Sequence, residues 1–143
     1  MTRFPEGPAA SPGFLLWHVT LAWQRAVTAA LQPLGLTHAQ FVLLASAWWL
    51  SEQGEVPNQL RLARHAGTDV KMTSQIVRKL EEKKLLRREI DPADSRARRL
   101  RPTPAGRNLA RRAIAAVESV DADFFGRHAP ALTPLLQELA DGR

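Results

Sequence analysis

The chain has 143 residues, of which 45% are hydrophobic, and a formal net charge of +6 at pH 7. This length suits one globular domain with its own core and is short for two independent domains. Because the sequence contains no cysteine, disulfides, thiolate metal sites and cysteine-based redox sensing are excluded.

Residues 1–13 hold three prolines, two glycines and no periodic apolar pattern, which predicts a flexible tail or an extended arm. We expect ordered structure to begin near Phe14. No apolar run follows Arg3, so this segment is neither a secretory signal nor a membrane anchor. The sequence therefore indicates a soluble, cytoplasmic protein with no membrane partner.

A first amphipathic helix is predicted from Leu16, ended by Pro33 and Gly35. The apolar positions of its first face step by three or four residues: Val19, Trp23, Val27, Leu31 and Leu34. Its opposite side carries Trp17, Leu21 and several alanines. Since the core of one short domain does not need this second apolar strip, we expect a contact between subunits to use it.

The second helix is predicted to begin at His38. Thr37 with Gln40 forms a capping-box pattern, and Leu36 with Phe41 suits a hydrophobic staple. Residues 41–50 are apolar on nearly every side, which is typical of a helix surrounded by protein. Gly54 marks its end.

Pro57 and Asn58 open a third, shorter helix that ends at Gly67. The positions that its spacing predicts to face inward are Leu60, Ala63 and Ala66. A turn of three to four residues then leads to Asp69, where the next helix starts. This order is a helix-turn-helix, whose second helix enters the DNA major groove by its N-terminal residues.

A fourth helix is predicted over residues 71–84, with Asp69 able to accept hydrogen bonds from its first-turn amides. Its buried stripe recurs at three- and four-residue spacing and comprises Thr73, Ile76, Val77 and Leu80. The side chains that this arrangement leaves facing outward are Lys71, Met72, Ser74, Gln75, Arg78 and Lys79.

Two strand-like runs, residues 85–90 and 97–101, follow on either side of a predicted turn over residues 91–96. A helix with a polar outer face, joined to a hairpin with arginine at its tip, is a winged helix. Between residues 60 and 112 lie 16 of the 20 Lys and Arg residues, so this basic segment carries +10 and the remainder −4. An exposed basic face is often only a solvated surface, but so local a concentration favours a protein that binds backbone phosphates.

Thr103 and Pro104 combine a hydroxyl cap with a proline at the first helical position, which predicts a long helix that ends at Gly126. Its apolar stripe is Leu109, Ala113, Ala116, Val117, Val120 and Phe124. Thr133 and Pro134 predict the start of a last short helix. The apolar residues of that helix are Leu135, Leu136 and Leu139.

The predicted fold is mainly α with a small β wing. We expect a flexible tail (1–13), dimerisation and core helices (14–53), a winged helix-turn-helix module (54–102) and C-terminal dimerisation helices (103–143). Surplus apolar surface at both chain ends favours a homodimer, whereas in the alternative these helices only cover the core of a monomer. A dimer would hold two recognition helices about 34 Å apart, as a two-fold symmetric DNA site requires.

No catalytic or metal site is expected. The four histidines, His18, His38, His65 and His128, form no pair at metal-ligand spacing, so we assign neither a metal nor a cofactor. Paired carboxylates, a nucleophile with its base and a Gly-rich phosphate loop do not stand out either. This argues against an enzyme.

Five stretches resemble the MarR family of winged-helix regulators: PLGLTHAQ (33–40), LARHAG (62–67), TSQIVRKLEEKKLLRR (73–88), DPADSRA (91–97) and LRPTPAGR (100–107). They follow the family's order over most of the chain. The resemblance implies a homodimeric, sequence-specific transcription repressor whose affinity for a palindromic operator in double-stranded DNA is lowered by a small aromatic or anionic ligand. The alternative is a nonspecific architectural DNA- or RNA-binding winged helix without ligand response.

The resemblance also implies site residues. On the recognition helix, the face in the major groove would comprise Lys71, Met72, Ser74, Gln75 and Arg78. In the wing, Asp94 would orient the loop, Arg96 would enter the minor groove and Arg98 would join the DNA contacts. Lys84 stands where the family usually has glycine, so either the helix runs on or a left-handed lysine carries strain of roughly 1 kcal/mol. Ser95 replaces a second, commonly basic wing residue.

Trp17, His18 and Trp48 lie on the helices that, by the same resemblance, line a cleft between the dimerisation region and the winged helix. Aromatic walls with one titratable group suit a flat anionic ligand. The other interpretation is that the tryptophans are core or dimer contacts.

Overall fold

The computed structural model describes residues 2–142, and Met1 and Arg143, at the ends of the predicted tail and C-terminal region, lie outside the described residues. The helices are α1 (Pro12–Leu31), α2 (His38–Glu52), α3 (Gln59–Ala66), α4 (Val70–Glu82), α5 (Pro104–Phe125) and α6 (Ala129–Asp141). Strands β1 (Leu86–Asp91) and β2 (Asp94–Pro102) form one antiparallel sheet between α4 and α5. The predicted mainly α fold with a small β wing is confirmed.

Within residues 2–142 no single helix is both long and apolar enough to cross a membrane. Only α1 and α2 taken together reach that length and apolarity, and the chain bends by 73° between them.

The core surrounds α2, which buries apolar side chains along its whole length. Those side chains are Leu43, Leu44, Ala47 and Leu50. The other elements contribute Val27 and Leu31 of α1, Leu62 of α3, Val77 and Leu80 of α4, Leu86 and Leu100 of the sheet, and Ala110 and Ala113 of α5. Each fully buried leucine stabilises the fold by about 1.5–3 kcal/mol. The winged helix, α1 and α5 therefore share one core.

The start of α2 agrees with its prediction. Thr37 Oγ1 accepts a hydrogen bond from the Gln40 amide at 3.1 Å, and Gln40 Oε1 accepts one from the Thr37 amide at 3.2 Å. Leu36 is buried, and Phe41 packs against the same core. The capping box at residue 37 and the helix start at His38 are confirmed.

Ordered structure begins earlier than predicted. Residues Pro8–Ala10 form a 3₁₀ turn before the predicted onset of order near Phe14, and α1 starts at Pro12 instead of Leu16. Ser11 Oγ accepts a hydrogen bond from the Phe14 amide at 3.3 Å, and proline suits the next position because its missing N–H would have had no partner there. Ser11 and Pro12 thus form the same hydroxyl-proline start as Thr103 and Pro104 at α5.

The predicted inward face of α3 is wrong at one position. The Leu60 side chain is 49% exposed, while Leu62 is fully buried. Residues two apart on a helix point about 200° apart, so only one of these leucines faces the core. Ala63 is buried and Ala66 packs against the core, as predicted.

The predicted start of the last helix is also wrong. Helix α6 begins at Ala129, with Pro130 in its first turn, and Pro134 lies inside it. The helix continues across Pro134 although this residue has no N–H to donate to the carbonyl of Pro130. The Thr133 hydroxyl, expected to cap the helix, instead donates to the carbonyl of Ala129 at 2.8 Å.

Helix α4 ends at Glu82, so the predicted helix does not run on through residue 84. Lys84 has a φ of 61°, so it is left-handed and the strain of roughly 1 kcal/mol is carried by the lysine. Thr103 Oγ1 donates to the Lys84 carbonyl at 2.7 Å, and the Leu85 amide donates to the Leu80 carbonyl at 2.9 Å. These bonds hold the reversal that leads from α4 into the wing.

Candidate nucleic-acid interface

Helix α4 turns one face to the core and the other to solvent. Asp69 Oδ1 accepts a hydrogen bond from the Met72 amide at 2.7 Å, which confirms the predicted cap. The stripe that packs inward is the predicted one: Thr73, Ile76, Val77 and Leu80. Because the helix repeats every 3.6 residues, burial of this stripe exposes the opposite side.

The turn between α3 and α4 fixes the first turn of α4. Gly67 ends α3 in the left-handed conformation, with φ of 75°. The Thr73 hydroxyl donates to the Asp69 carbonyl at 2.7 Å, and the Thr68 hydroxyl lies 2.6 Å from the Thr73 hydroxyl. Since the hydrogen of Thr73 is engaged by Asp69, Thr68 is the donor between the two hydroxyls. These buried contacts set the direction in which the neighbouring Lys71 and Met72 leave the helix.

The structure brings the five predicted contact residues of α4 together on the solvent side, which we call the outward face. Its members are Lys71, Met72, Ser74, Gln75 and Arg78. Ser74 is half-buried and the other members are exposed. Lys79 beside them lies 3.5 Å from Glu82. Between the outward face and the start of α2 there is a surface hollow of about 450 Å³.

The wing is tighter than the predicted hairpin. Cross-strand partners run from Leu86 with Pro102 to Ile90 with Arg98, after which the register shifts. The chain reverses at residues 92 and 93, between paired Asp91 and Asp94, instead of over the predicted 91–96.

At the wing tip, Asp94 shapes the loop that carries Arg96. Asp94 Oδ1 accepts a hydrogen bond from the Arg96 amide at 3.0 Å and lies 3.7 Å from Arg96 Nε. The Arg96 side chain is nevertheless 93% exposed. Arg98 Nη1 donates to the carbonyls of Ser95 and Ala97 at 3.2 and 3.3 Å. The tip therefore presents Arg96 to solvent, while the Arg98 side chain is hydrogen-bonded to the loop backbone.

One face of the wing carries a cluster that sequence reasoning missed. Glu89 Oε1 accepts a hydrogen bond from Arg99 Nε at 2.6 Å, and Glu89 Oε2 accepts one from Arg101 Nε at 2.9 Å. The bond from Arg101 is the main reason that the pKa of Glu89 is lowered, against the opposing effect of burial, and it raises the pKa of Arg101. The alternation of Arg99 and Arg101 along one strand face was a signal for this cluster, but the partner depended on the register.

Internal ion pairs divide the basic segment. Arg88 is held by Glu81 at 3.0 Å, Arg61 by Glu55 at 2.6 Å, and the wing arginines by Glu89. Within residues 60–112, the Lys and Arg side chains that have neither an ion-pair nor a hydrogen-bond partner are Arg64, Lys71, Arg78, Lys84, Arg107 and Arg112. Basic side chains without an internal partner therefore lie on α3, on α4, in the turn after α4 and in the first half of α5. Arg96 at the wing tip is 93% exposed although it lies 3.7 Å from Asp94.

Comparison with known proteins identifies the family. The model of the MarR family matches residues 36–97, from the start of α2 to the wing. An uncharacterized HTH-type transcriptional regulator of Bacillus subtilis (strain 168), YdcH, is 43% identical over 120 residues, which cover 84% of this chain and 82% of the relative. This chain belongs to the MarR family. It is a MarR-type transcriptional regulator and not an enzyme, as its sequence predicts.

Two MarR-type relatives have solved structures. CouR from Rhodococcus jostii RHA1, solved bound to p-coumaroyl-CoA, aligns with a TM-score of 0.82 at 30% identity over 94% of this chain and 92% of CouR. The HTH-type transcriptional repressor Rv2887 of Mycobacterium tuberculosis is 35% identical over 115 residues, 80% of each protein. The structure of Rv2887 with DNA aligns with a TM-score of 0.69 at 31% identity, over 91% of this chain and 98% of the other. Rv2887 has also been solved with salicylic acid.

In this MarR-family protomer, the three predicted ligand residues do not surround one hollow. Trp17 and His18 are exposed on α1, where the His18 ring meets Phe14 edge-on at 4.5 Å. Trp48 packs against the core from α2, and its buried Nε1 has no hydrogen-bond partner among residues 2–142. These side chains line neither the hollow beside α4 nor a second one at residues 2–14.

A hydrogen bond and a ring contact connect α1, α5 and α2 in this MarR-family protomer. Trp23 Nε1 donates to Asp121 Oδ1 at 2.8 Å, which links α1 to α5. The His38 ring, at the start of α2, meets Trp23 edge-on at 5.1 Å. Burial lowers the pKa of His38, and the negative charge of Asp121 opposes this effect. Sequence reasoning considered His38 only as a metal ligand and did not single out Asp121.

Many of the exposed apolar side chains lie near the two ends of the chain, and together we call them the terminal apolar surface. On α1 they are Phe14, Leu15, Leu16, Trp17 and Val19, and near the end of the chain they are Phe124, Leu135, Leu136 and Leu139. No described residue of α6 is buried. An isolated helix of this length is only marginally stable in water.

Proposed function

We propose that this regulator is a homodimer that represses transcription by binding a palindromic operator in double-stranded DNA. The outward face of α4 carries the proposal, because its exposed Lys71, Gln75 and Arg78 have no partner within the described chain. Rv2887, a repressor that has been solved with DNA, supports it. Since the operator is genomic DNA, the protein acts in the cytoplasm.

Affinity and sequence choice come from different residues. Lys71, Met72, Ser74, Gln75 and Arg78 enter the major groove. Gln75 pairs with adenine and Arg78 with guanine, each contributing about 1–3 kcal/mol of discrimination. Asp94 and Arg98 hold the wing loop, and Arg96 reaches into the minor groove. Contacts to phosphate position the protein and supply most of the affinity, without carrying sequence information.

The terminal apolar surface forms the dimer interface. Helix α6 exposes Leu135, Leu136 and Leu139 and has no buried residue, so packing within the protomer contributes little to the stability of this helix. A second copy would cover it together with the first half of α1. Residues 14–53 then supply the dimerisation and core helices, residues 103–143 the C-terminal dimerisation helices, and residues 54–102 the DNA-binding module. Two α4 helices about 34 Å apart read the two halves of the operator.

A small aromatic or anionic ligand lowers operator affinity. CouR has been solved bound to p-coumaroyl-CoA and Rv2887 with salicylic acid, so two relatives bind aromatic acids or their thioesters. Trp17, His18 and Trp48 are the proposed contacts, and the unpartnered Nε1 of Trp48 is a hydrogen-bond donor for such a ligand. The ligand acts by preferring a dimer whose recognition helices do not match the operator spacing. Quenching of tryptophan fluorescence by candidate acids, together with operator release, is the expected result, and quenching without release would count against regulation by the ligand.

Footprinting on the DNA that flanks this chain's coding region tests the proposal, followed by competition with bulk DNA. We expect a protected palindrome and a steep fall of affinity with salt, by about 0.9 in the log-log slope for each phosphate neutralised. A specificity ratio near one would instead identify a nonspecific architectural winged helix.

A further inference from the structure

Lys83 follows the recognition helix directly, and its charge suggests a phosphate contact. In the structure, the Lys83 ammonium is instead hydrogen-bonded within the protein. The Lys83 ammonium donates to the carbonyl of Gly35 and to Gln40 Oε1, the latter at 3.0 Å. Both acceptors belong to the corner between α1 and α2, far from Lys83 in sequence.

The corner itself is well fixed. Gly35 is left-handed, with φ of 72°, and ends the 3₁₀ turn that follows α1. Gln40 Oε1 also accepts the Thr37 amide at 3.2 Å as part of the α2 capping box. One side-chain oxygen therefore holds both the start of α2 and the end of α4. Hydrogen bonds from an ionised donor are roughly twice as strong as neutral ones, and a cation at this end also suits the dipole of α4.

We propose that Lys83 is a positioning residue for DNA recognition, which fastens the C-terminal end of α4 to the α1–α2 corner and makes no phosphate contact. The N-terminal end of α4 is already fixed by Asp69 and Thr73. The C-terminal end runs into the strained Lys84, so the bonds of Lys83 set the tilt of the helix there. This inference rests on the proposed function of the outward face.

Lys83→Met tests the inference, because methionine keeps an unbranched apolar stem and removes the cation. We expect affinity for the operator to fall about tenfold, since bonds to a charged group contribute this much or more. Affinity for nonspecific DNA should stay within about twofold, and the salt slope should not change. Loss of specific binding alone is the mark of a misdirected helix.

Lys71→Met is the matched control, with the same substitution in the first turn of α4 at a lysine that has no internal partner. It should weaken operator and nonspecific DNA alike and reduce the salt slope by about 0.9. Gln40→Glu supplies a conservative variant, because a carboxylate still accepts from both Lys83 and the Thr37 amide. Gln40→Glu should keep operator affinity in the wild-type background and should not restore it beside Lys83→Met.

Hydrogen exchange of the free protein gives a readout that needs no DNA. Lys83→Met should speed exchange at least fivefold in the last turn of α4 and leave its first turn unchanged, because only one end is released. Unchanged protection there, unchanged operator affinity, or a salt slope lowered by about 0.9 with equal losses on both DNAs would each overturn the inference. If the wild-type protein showed no operator preference, the proposed function would fail, and the exchange data would still decide the role of Lys83.

Discussion

Gly106 lies against the carbonyl group of Leu85 so closely that a Cβ on Gly106 would stand 2.0 Å from that oxygen. The Thr103 amide donates to the same oxygen at 3.0 Å, and the Thr103 hydroxyl donates to the Lys84 carbonyl. The segment that leaves the recognition helix therefore meets the start of α5 backbone to backbone. This junction connects α4 to the helix that leads to the terminal apolar surface.

We predict that Gly106→Ala destabilises the protein by about 1–3 kcal/mol, because neither backbone segment can move aside for a methyl group. Gly13→Ala is the control, since on α1 the nearest atom to a new Cβ is Ser11 Oγ at 4.0 Å. That change should be neutral or stabilise by up to about 1 kcal/mol. Urea unfolding at fixed protein concentration measures both, and equal effects would contradict the crowding at Gly106.

Lys84→Gly should raise the free energy of unfolding by about 1 kcal/mol, because glycine adopts a φ of 61° without the clash that lysine suffers. Lys79→Gly, the same substitution inside α4, should lower it by about 1 kcal/mol. Chemical denaturation of the two variants beside the wild type gives the comparison. A loss of stability in Lys84→Gly as large as in Lys79→Gly would show that the lysine is not strained.

The sequence predicted those features of the fold that depend on neighbouring residues. Thr37, Asp69 and Thr103 each accept a hydrogen bond from their own first helical turn, so a short motif is enough to locate the helix start. The inward stripe of α4 was predicted for the same reason, since thirteen residues give a clear period. Helix α3 has only eight residues, so its apolar spacing was compatible with either Leu60 or Leu62 facing the core, and the sequence pattern did not distinguish the two.

Features that depend on distant residues were not predicted. If the predicted strands were paired outward from the predicted turn over residues 91–96, Glu89 would lie opposite Arg98. Its actual partner is Arg99, one residue further along the chain. A slip of one residue moves side chains to the other face of a strand, so the cluster around Glu89 was hidden. The acceptors of Lys83 lie 48 and 43 residues away, and no local pattern indicates such a contact. The outward face of α4 could be predicted from the sequence. Which Lys and Arg side chains have an internal ion-pair partner and which do not could not be predicted.

Stability should depend on pH through His38. Burial lowers the pKa of His38 from 6.5, so below this pH the unfolded chain binds a proton more readily than the folded protein does. The free energy of unfolding should therefore fall as the pH drops through about 6.5 towards the folded-state pKa. Unfolding between about pH 8 and pH 5 should show a smaller loss for His38→Gln. Asp121→Asn should show a larger loss, because it removes the charge that favours protonated His38; identical profiles would contradict this assignment.

The division of labour on DNA is tested by a pair of substitutions. Gln75→Ala should relax base preference at one operator position and leave nonspecific affinity nearly unchanged. Arg96→Ala should weaken binding to all sequences, because the side chain is almost fully exposed at the wing tip and contributes charge to the minor groove. Binding to an operator series and to bulk DNA measures both effects. If the two variants changed specific and nonspecific binding by the same factor, these roles would be wrong.

Light scattering, with and without a palindromic duplex, measures the assembly on which the account depends. We predict a protein mass of twice the 15.9 kDa of one chain before DNA is added, and two chains on each duplex afterwards. A protein that remained a single protomer at working concentrations, even with the duplex present, would contradict a dimer that matches its two recognition helices to the two halves of an operator.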